Sequence, residues 1–201
     1  MKVLLVGVGT VGEAIARLST SRTWLEQLVL CDYDLDRARR VRATIAGDDR
    51  RYPVERIDAA DTAQVAGLAR KYGVDLVMNA VDPSFVMSIF DGAFEAGVDY
   101  MDMAMSLSSR HPTDPYHLPG VKLGDLQFAK ADAWRDRGHL AVVGMGMDPG
   151  LSDVFATYAA RHLFDDIDGV LVRDGGDLRI EGYAFAPVFS IWTTIEECLN
   201  P

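Results

Sequence analysis

An apolar run, Lys2-Val3-Leu4-Leu5-Val6, enters Gly7-Val8-Gly9-Thr10-Val11-Gly12, and an acid, Asp32, follows twenty residues after Gly12. Few sequence features restrict a chain so closely. Gly7 allows a tight strand-to-helix turn, Gly9 leaves room for the backbone to approach a pyrophosphate, and Gly12 lets the helix lie close to the strand. A helix starting at such a turn offers unpaired N–H groups and its positive dipole end to phosphates. Leu28-Val29-Leu30-Cys31 reads as a second buried strand ending at Asp32, where a carboxylate can accept hydrogen bonds from a ribose diol. Gly7, Gly9, Thr10, Val11, Gly12 and Asp32 are therefore the expected contacts of a dinucleotide. The first residues also have the outline of a signal peptide, but three glycines and Glu13 interrupt the apolar run.

The rest of the chain continues the alternation. Strands are predicted over 2–7, 27–32, 53–58, 75–81, 98–104 and 139–145, and helices over 10–20, 35–46, 62–72, 84–96 and 125–137. Gly47, Gly73, Gly97 and Gly138 stop four of these helices, and Asp61-Thr62 starts another in N-cap fashion. Continuous apolar strands separated by single helices imply a parallel sheet covered on both faces, with right-handed crossovers. The expected fold is α/β, a doubly wound parallel sheet of the Rossmann type over residues 1–150. Residues 151–201 read as the start of a second, α+β domain: an amphipathic helix to about His162, a strand over 169–173, the turn Asp174-Gly175-Gly176, and a tail rich in aromatics. In that tail Trp192, Ile195 and Leu199 are spaced as one helix face, and no closing element follows them, so the domain is expected to be unfinished.

With 201 residues and a formal net charge of −10, the chain supports one good core and lacks the positive field that nucleic acid or an anionic membrane requires. No stretch is apolar for long enough to span a bilayer. Cys31 and Cys198 give neither a disulfide framework nor metal-ligand spacing. No metal is expected, and a reducing cytoplasm suits such a chain. Arg37, Arg39, Arg40 and Arg42 read as a solvated helix face paired with Asp34 and Asp36.

One segment breaks the rhythm. Residues 106–124 carry Pro112, Pro115 and Pro119 with His111 and His117, and join the fifth strand to the next helix at the carboxyl edge of the sheet. Ligands of open α/β sheets bind outside that edge, where a long loop often serves as a lid or substrate wall.

Further motifs are Asp58-Ala59-Ala60-Asp61 after the third strand, Asn79-Ala80 ending the fourth, Val98-Asp99-Tyr100-Met101-Asp102 in the fifth, and Gly146-Met147-Asp148-Pro149-Gly150 leaving the sheet. With the glycine loop and the segment from Phe189 to Pro201, they give the chain a resemblance to the saccharopine dehydrogenase family, including its lysine 6-dehydrogenase-like and carboxynorspermidine-type relatives. Members of that family run considerably longer. The resemblance implies NAD(P)-linked oxidoreduction at a carbon–nitrogen bond of a small amino-acid substrate, saccharopine- or lysine-like, or of a polyamine-like compound. In family fashion Asp58 and Ala59 would border the adenine, Asn79, Ala80 and Val81 would lie under the ribose and nicotinamide, and Asp102 to Ala104 would flank the nicotinamide.

Asp32 favours NAD, because a 2′-phosphate would meet a carboxylate, while the nearby Arg37 admits NADP. Asp102, His117 and Asp148 are the candidates for proton transfer to or from an amine, with His111 and Asp153 on the same edge. The apolar tail needs a covering surface, so a homodimer is expected. A short-chain dehydrogenase would need Tyr-x-x-x-Lys, which no tyrosine here provides. The alternative function is a non-catalytic, nucleotide-binding regulatory module built on the same fold.

Overall fold

The apolar run at the amino terminus becomes the middle of a sheet. Strand β1 (Lys2–Val6) pairs in parallel with β2 (Gln27–Asp32) on one side and β4 (Leu76–Asn79) on the other, with Leu4 opposite Val29 and Val77. Strands β3 (Val54–Arg56), β5 (Asp99–Met101) and β6 (Ala141–Val142) extend the sheet to the order β3-β2-β1-β4-β5-β6, all parallel. The chain reverses direction of travel across the sheet after β3, so a crevice opens at the carboxyl ends of β1 and β4. The computed structural model describes residues 1–173, 175, 180–183, 191, 195 and 198–199.

Among the described residues the strands are accompanied by helices α1 (Thr10–Ser19), α2 (Leu35–Thr44), α3 (Thr62–Tyr72), α4 (Val86–Ala96), α5 (Asp125–Phe128), α6 (Ala131–Asp136) and α7 (Leu151–His162). The two-residue period of β1 sorts its side chains into two cores. Val3 and Leu5 pack with Ala16 of α1 and Ala38 and Val41 of α2. Leu4 and Val6 pack on the other face with Val65 of α3, Ile89 and Phe90 of α4 and Trp134 of α6. None of the described helices is long and apolar enough to cross a membrane.

Several expectations differ from what forms, among them the strand over 139–145, which shortens to Ala141–Val142. The helix predicted over 125–137 is two short helices, α5 and α6, because two anchors pull on it separately. Gln127 is drawn into hydrogen bonds with Asp102 and Ser106, whereas Trp134 lies 4.9 Å from Phe90 and 5.4 Å from Phe94 between ring centroids. The strand predicted over 98–104 stops at Met101, where the chain turns around the Asp102 side chain. Residues 169–173 form no strand and are exposed; among the described residues no strand pairs with them, and an unpaired segment leaves its backbone groups to water. Asp174, Gly176, Phe185, Phe189 and Trp192 lie outside the described residues.

Candidate functional site

Gly7 has φ 93° and donates its N–H to the Cys31 carbonyl at 2.8 Å. A side chain there would meet Val81 and the Ala80 carbonyl, so the turn rests directly on the end of β4. Gly12 faces the Gly7 carbonyl with no room for a Cβ, which seats α1 against the turn. Gly9 differs from both: apart from its own residue and its chain neighbours, no heavy atom lies within 4 Å of the position a Cβ would take. It caps α1 without a side chain, and the Glu13 N–H donates to its carbonyl at 2.8 Å. The amides of Thr10, Val11 and Gly12 thus begin the helix without intrahelical partners, at the positive end of its dipole. An open cleft of about 830 Å³ starts here, between Gly9 and Thr10 on one side and Arg37 and Arg40 on the other.

Asp32 is buried at 5% exposure, and its carboxylate accepts from Val8 N at 3.0 Å, Asp34 N at 2.9 Å and Arg37 Nη1 at 3.4 Å. Asp34 in turn caps α2 through the amides of Asp36 and Arg37, and Arg40 lies 3.6 Å from it. Those backbone bonds, Arg37's first, hold the Asp34 carboxyl below the usual range. Neighbouring Cys31 is fully buried, and burial pushes its thiol far up. Such a thiol is an inert core group.

Asp58 and Ala59 form the turn before α3. The Asp58 carboxylate accepts from Ala60 N at 3.0 Å, its amide donates to the Gln64 side chain, and the Ala59 carbonyl accepts from Ser88 Oγ at 2.5 Å. Asn79 is buried; its Oδ1 accepts from Val81 N at 3.1 Å and its Nδ2 donates to Tyr100 Oη at 3.1 Å. The amide therefore shapes the Ala80–Val81 turn from below, and those two residues form the surface against which Gly7 rests.

The three proton-transfer candidates fall in different surroundings. Asp102 is 1% exposed and accepts from four donors: Gly144 N at 2.7 Å, Met105 N at 3.3 Å, Tyr100 Oη at 2.9 Å and Gln127 Nε2 at 2.7 Å. Burial first, then the Asp102 charge, pushes the Tyr100 phenol far up, so it stays a proton donor. His117 is exposed in the long loop, with Nδ1 2.8 Å from Asp114 Oδ1. Asp148 is exposed beside a cis bond to Pro149 and accepts from Ser152 Oγ at 2.8 Å. Asp153 caps α7 through Gly150 N at 2.9 Å, and His111 Nδ1 faces the amides of Thr113 and Asp114. The fold joins Asp102 to the start of the Asp148 turn, since its carbonyl accepts from Met145 N at 2.9 Å, whereas the His117 contact stays within its own loop.

Sequence reasoning missed Tyr100, Gln127 and Gly144 as partners of Asp102. Tyr100 had a readable signal, because residues two apart on a strand share a face. Gln127 and Gly144 had none, since they arrive from elements far along the chain.

A family model described as "Saccharopine dehydrogenase NADP binding domain" matches residues 3–142. Among curated proteins, the chain is 30% identical to carboxyaminopropylagmatine dehydrogenase of Synechocystis sp., over 98% of this chain and 46% of that one. It is 28% identical to carboxynorspermidine synthase of Vibrio cholerae, over 98% of this chain and 48% of that one. The chain thus spans about half the length of the curated relatives it matches. Among solved structures, saccharopine dehydrogenase (L-Glu forming) from Saccharomyces cerevisiae superposes with a TM-score of 0.59 at 14% identity, covering 81% of this chain and 31% of that one. That likeness is one of fold.

Proposed function

The chain belongs to the saccharopine dehydrogenase family and carries its NAD(P)-binding domain, and from that premise we propose that it serves an NADP-linked oxidoreductase acting at the carbon–nitrogen bond of an amine that bears a carboxyl group. The observation that carries the reading is the open space at Gly9, above the unpartnered amides of α1 and beside Asp32 and Arg37. When bound, the coenzyme supplies the hydride chemistry. The protein's part is to bind and orient it. Gly9, Thr10, Val11 and Gly12 offer backbone donors to the pyrophosphate, and Gly7 keeps that turn closed on β4. Asp32 fixes the loop and borders the ribose, Asp58 and Ala59 border the adenine, and Asn79, Ala80 and Val81 form the floor toward the nicotinamide.

Two features favour NADP over the NAD expected from Asp32 alone. Both Asp32 oxygens already accept backbone N–H bonds, which spreads the charge a 2′-phosphate would meet. Arg37 and Arg40 line the cleft on the same side, where a guanidinium fork suits a phosphate. The relatives' names support a carboxyl-bearing polyamine precursor over saccharopine or lysine as the substrate. Asp148 and His117, exposed at the carboxyl edge, remain the proposed groups for proton transfer at the amine. A homodimer is the proposed assembly, supported by exposed Val154, Phe155 and Tyr158 on α7. The test is formation of NADPH from NADP⁺ with carboxynorspermidine, saccharopine and lysine offered in turn. Turnover with carboxynorspermidine supports the reading; binding of NADP⁺ with no turnover of any amine supports the regulatory module instead.

A further inference from the structure

A continuous run of buried and partly buried hydrogen bonds leads from beneath the glycine turn to the far side of the sheet edge. It starts where Gly7 rests on Ala80 and Val81, and passes from Val81 N to Asn79 Oδ1 and from Asn79 Nδ2 to Tyr100 Oη. Tyr100 donates onward to Asp102 Oδ2, which also accepts from Gln127 Nε2, while Gln127 Oε1 accepts from Ser106 N at 2.6 Å. Asp102 Oδ1 takes the amides of Met105 and Gly144. One carboxylate therefore ties together the ends of β4, β5 and β6 and the start of the long loop.

This arrangement is stiff for reasons beyond the count of bonds. Four donors fill the acceptor sites of Asp102, and none of its surface is left for a substrate proton. Met105 sits at φ 64°, a left-handed conformation that a non-glycine residue keeps only when its surroundings impose it. Its side chain lies against Gly124 and Gly144, neither of which has room for a Cβ beside it. Gln127, from α5, is the clamp: its amide donates to Asp102 and accepts from Ser106, so it fixes both ends of the 102–106 turn at once.

We propose that Asp102, clamped by Gln127, is a positioning residue that sets the 102–106 turn and Gly144 at the nicotinamide end of the coenzyme site, rather than a group that exchanges protons with substrate. The proposal rests on the coenzyme reading above and says which part of the site this network serves. The groups facing Asp102 are the Tyr100 phenol from β5, the Gln127 amide from α5 and the backbone amides of Met105 and Gly144. With both Gln127 bonds gone, the turn loosens where the nicotinamide would lie, while the adenosine end, built from β1, β2 and α2, is untouched.

Gln127→Met has similar length and makes neither bond. Amide exchange at Met105, Ser106 and Gly144 is expected to quicken by about tenfold or more while Leu4 and Val29 keep their protection. The dissociation constant for NADP⁺ is expected to rise about fivefold or more, with 2′,5′-ADP, which lacks the nicotinamide, binding as before. Gln127→Glu supplies a second readout. Ionised beside Asp102 it opens the turn, and sharing one proton with Asp102 it restores the bridge, so its exchange protection returns on acidification whereas the unmodified protein shows no such recovery. Equal losses for NADP⁺ and 2′,5′-ADP in Gln127→Met, or unchanged protection at Met105 and Gly144, overturn the proposal. Should Gln127→Met not fold, the pH dependence of Gln127→Glu decides, and its absence overturns the proposal. If the unmodified protein binds neither nucleotide, the coenzyme reading and the proposal that rests on it fall together; if it binds both and only the split is missing, the positioning role alone falls.

Discussion

Val8 donates its backbone N–H to Asp32 Oδ2 at 3.0 Å, so the acid that ends β2 also holds the loop that follows β1. Asp32 Oδ1 holds the Asp34 amide at 2.9 Å in the same way. A residue expected to serve the ribose is thus a structural brace for the turn on which the pyrophosphate would lie.

Asp32→Ala should therefore cost stability even without a nucleotide. It leaves the buried Val8 amide and the partly buried Asp34 amide without their charged acceptor, a loss of about 1–3 kcal/mol. Urea unfolding of the free protein measures it, and a change below about 0.5 kcal/mol, the range of surface substitutions, contradicts the bracing role.

Gly9 and Gly12 should respond in opposite ways to an added side chain. Gly9→Val fits the free fold, where nothing occupies the space, but fills the place of the pyrophosphate; coenzyme affinity should fall by about tenfold or more with the unfolding midpoint nearly unchanged. Gly12→Val collides with the Gly7 carbonyl, so the fold itself should weaken. Calorimetric titration with NADP⁺, beside thermal unfolding, separates the two.

Arg37→Ala should remove the preference for NADP. Loss of a charge-assisted contact to the 2′-phosphate amounts to about 1.5–3 kcal/mol, while NAD affinity should change little. Tighter binding of NAD than NADP by the unmodified protein places control of the pocket with Asp32.

Glu55 should make the fold acid-sensitive. Burial raises its pKa, but hydrogen bonds from Lys71 Nζ and Tyr72 Oη, each at 2.5 Å, outweigh burial and hold the carboxyl below its ordinary value of 4.5. Because the folded pKa is the lower one, this stabilisation is present above 4.5 and is lost as pH falls through the depressed value. Glu55→Gln should cost about 0.5–1.5 kcal/mol at neutral pH and flatten the acid limb of the stability profile. An unchanged acid limb assigns the sensitivity to other carboxylates.

Phe155→Glu should weaken self-association. Helix α7 has no buried residue among its twelve, and Phe155 is 64% exposed. Light scattering at micromolar concentration should show a larger species for the unmodified protein and a smaller one for the variant; a monomer in both cases removes the proposed dimer.

Much of the architecture was legible because its determinants are local. The apolar runs of β1 and β2, the close approach of Gly12 to the Gly7 carbonyl and Asp61 before α3 each act within a few residues. What the sequence hid depends on partners brought from afar. Asp102 reads as a candidate acid from its place after β5, and nothing near it in the chain announces Gln127 and Gly144, 25 and 42 residues further on, as its donors. The break between α5 and α6 is equally non-local, set by Gln127 and Trp134 having different neighbours. Residues 169–173 have strand-like composition, but composition alone supplies no adjacent strand to pair with.

The central place of β1 also imposes an order of assembly. This strand precedes its partner β4 by some seventy residues, so one of its edges stays bare until Leu76 to Asn79 have been synthesised, and Gly7 has nothing to rest on before Ala80 and Val81 appear. The loop that would receive the pyrophosphate is therefore synthesised with the first strand of the sheet and completed only by the fourth. During that interval an apolar strand with an unpaired edge is open to wrong pairing, which makes the time between synthesis of β1 and of β4 a stage at which a holdase would be of use.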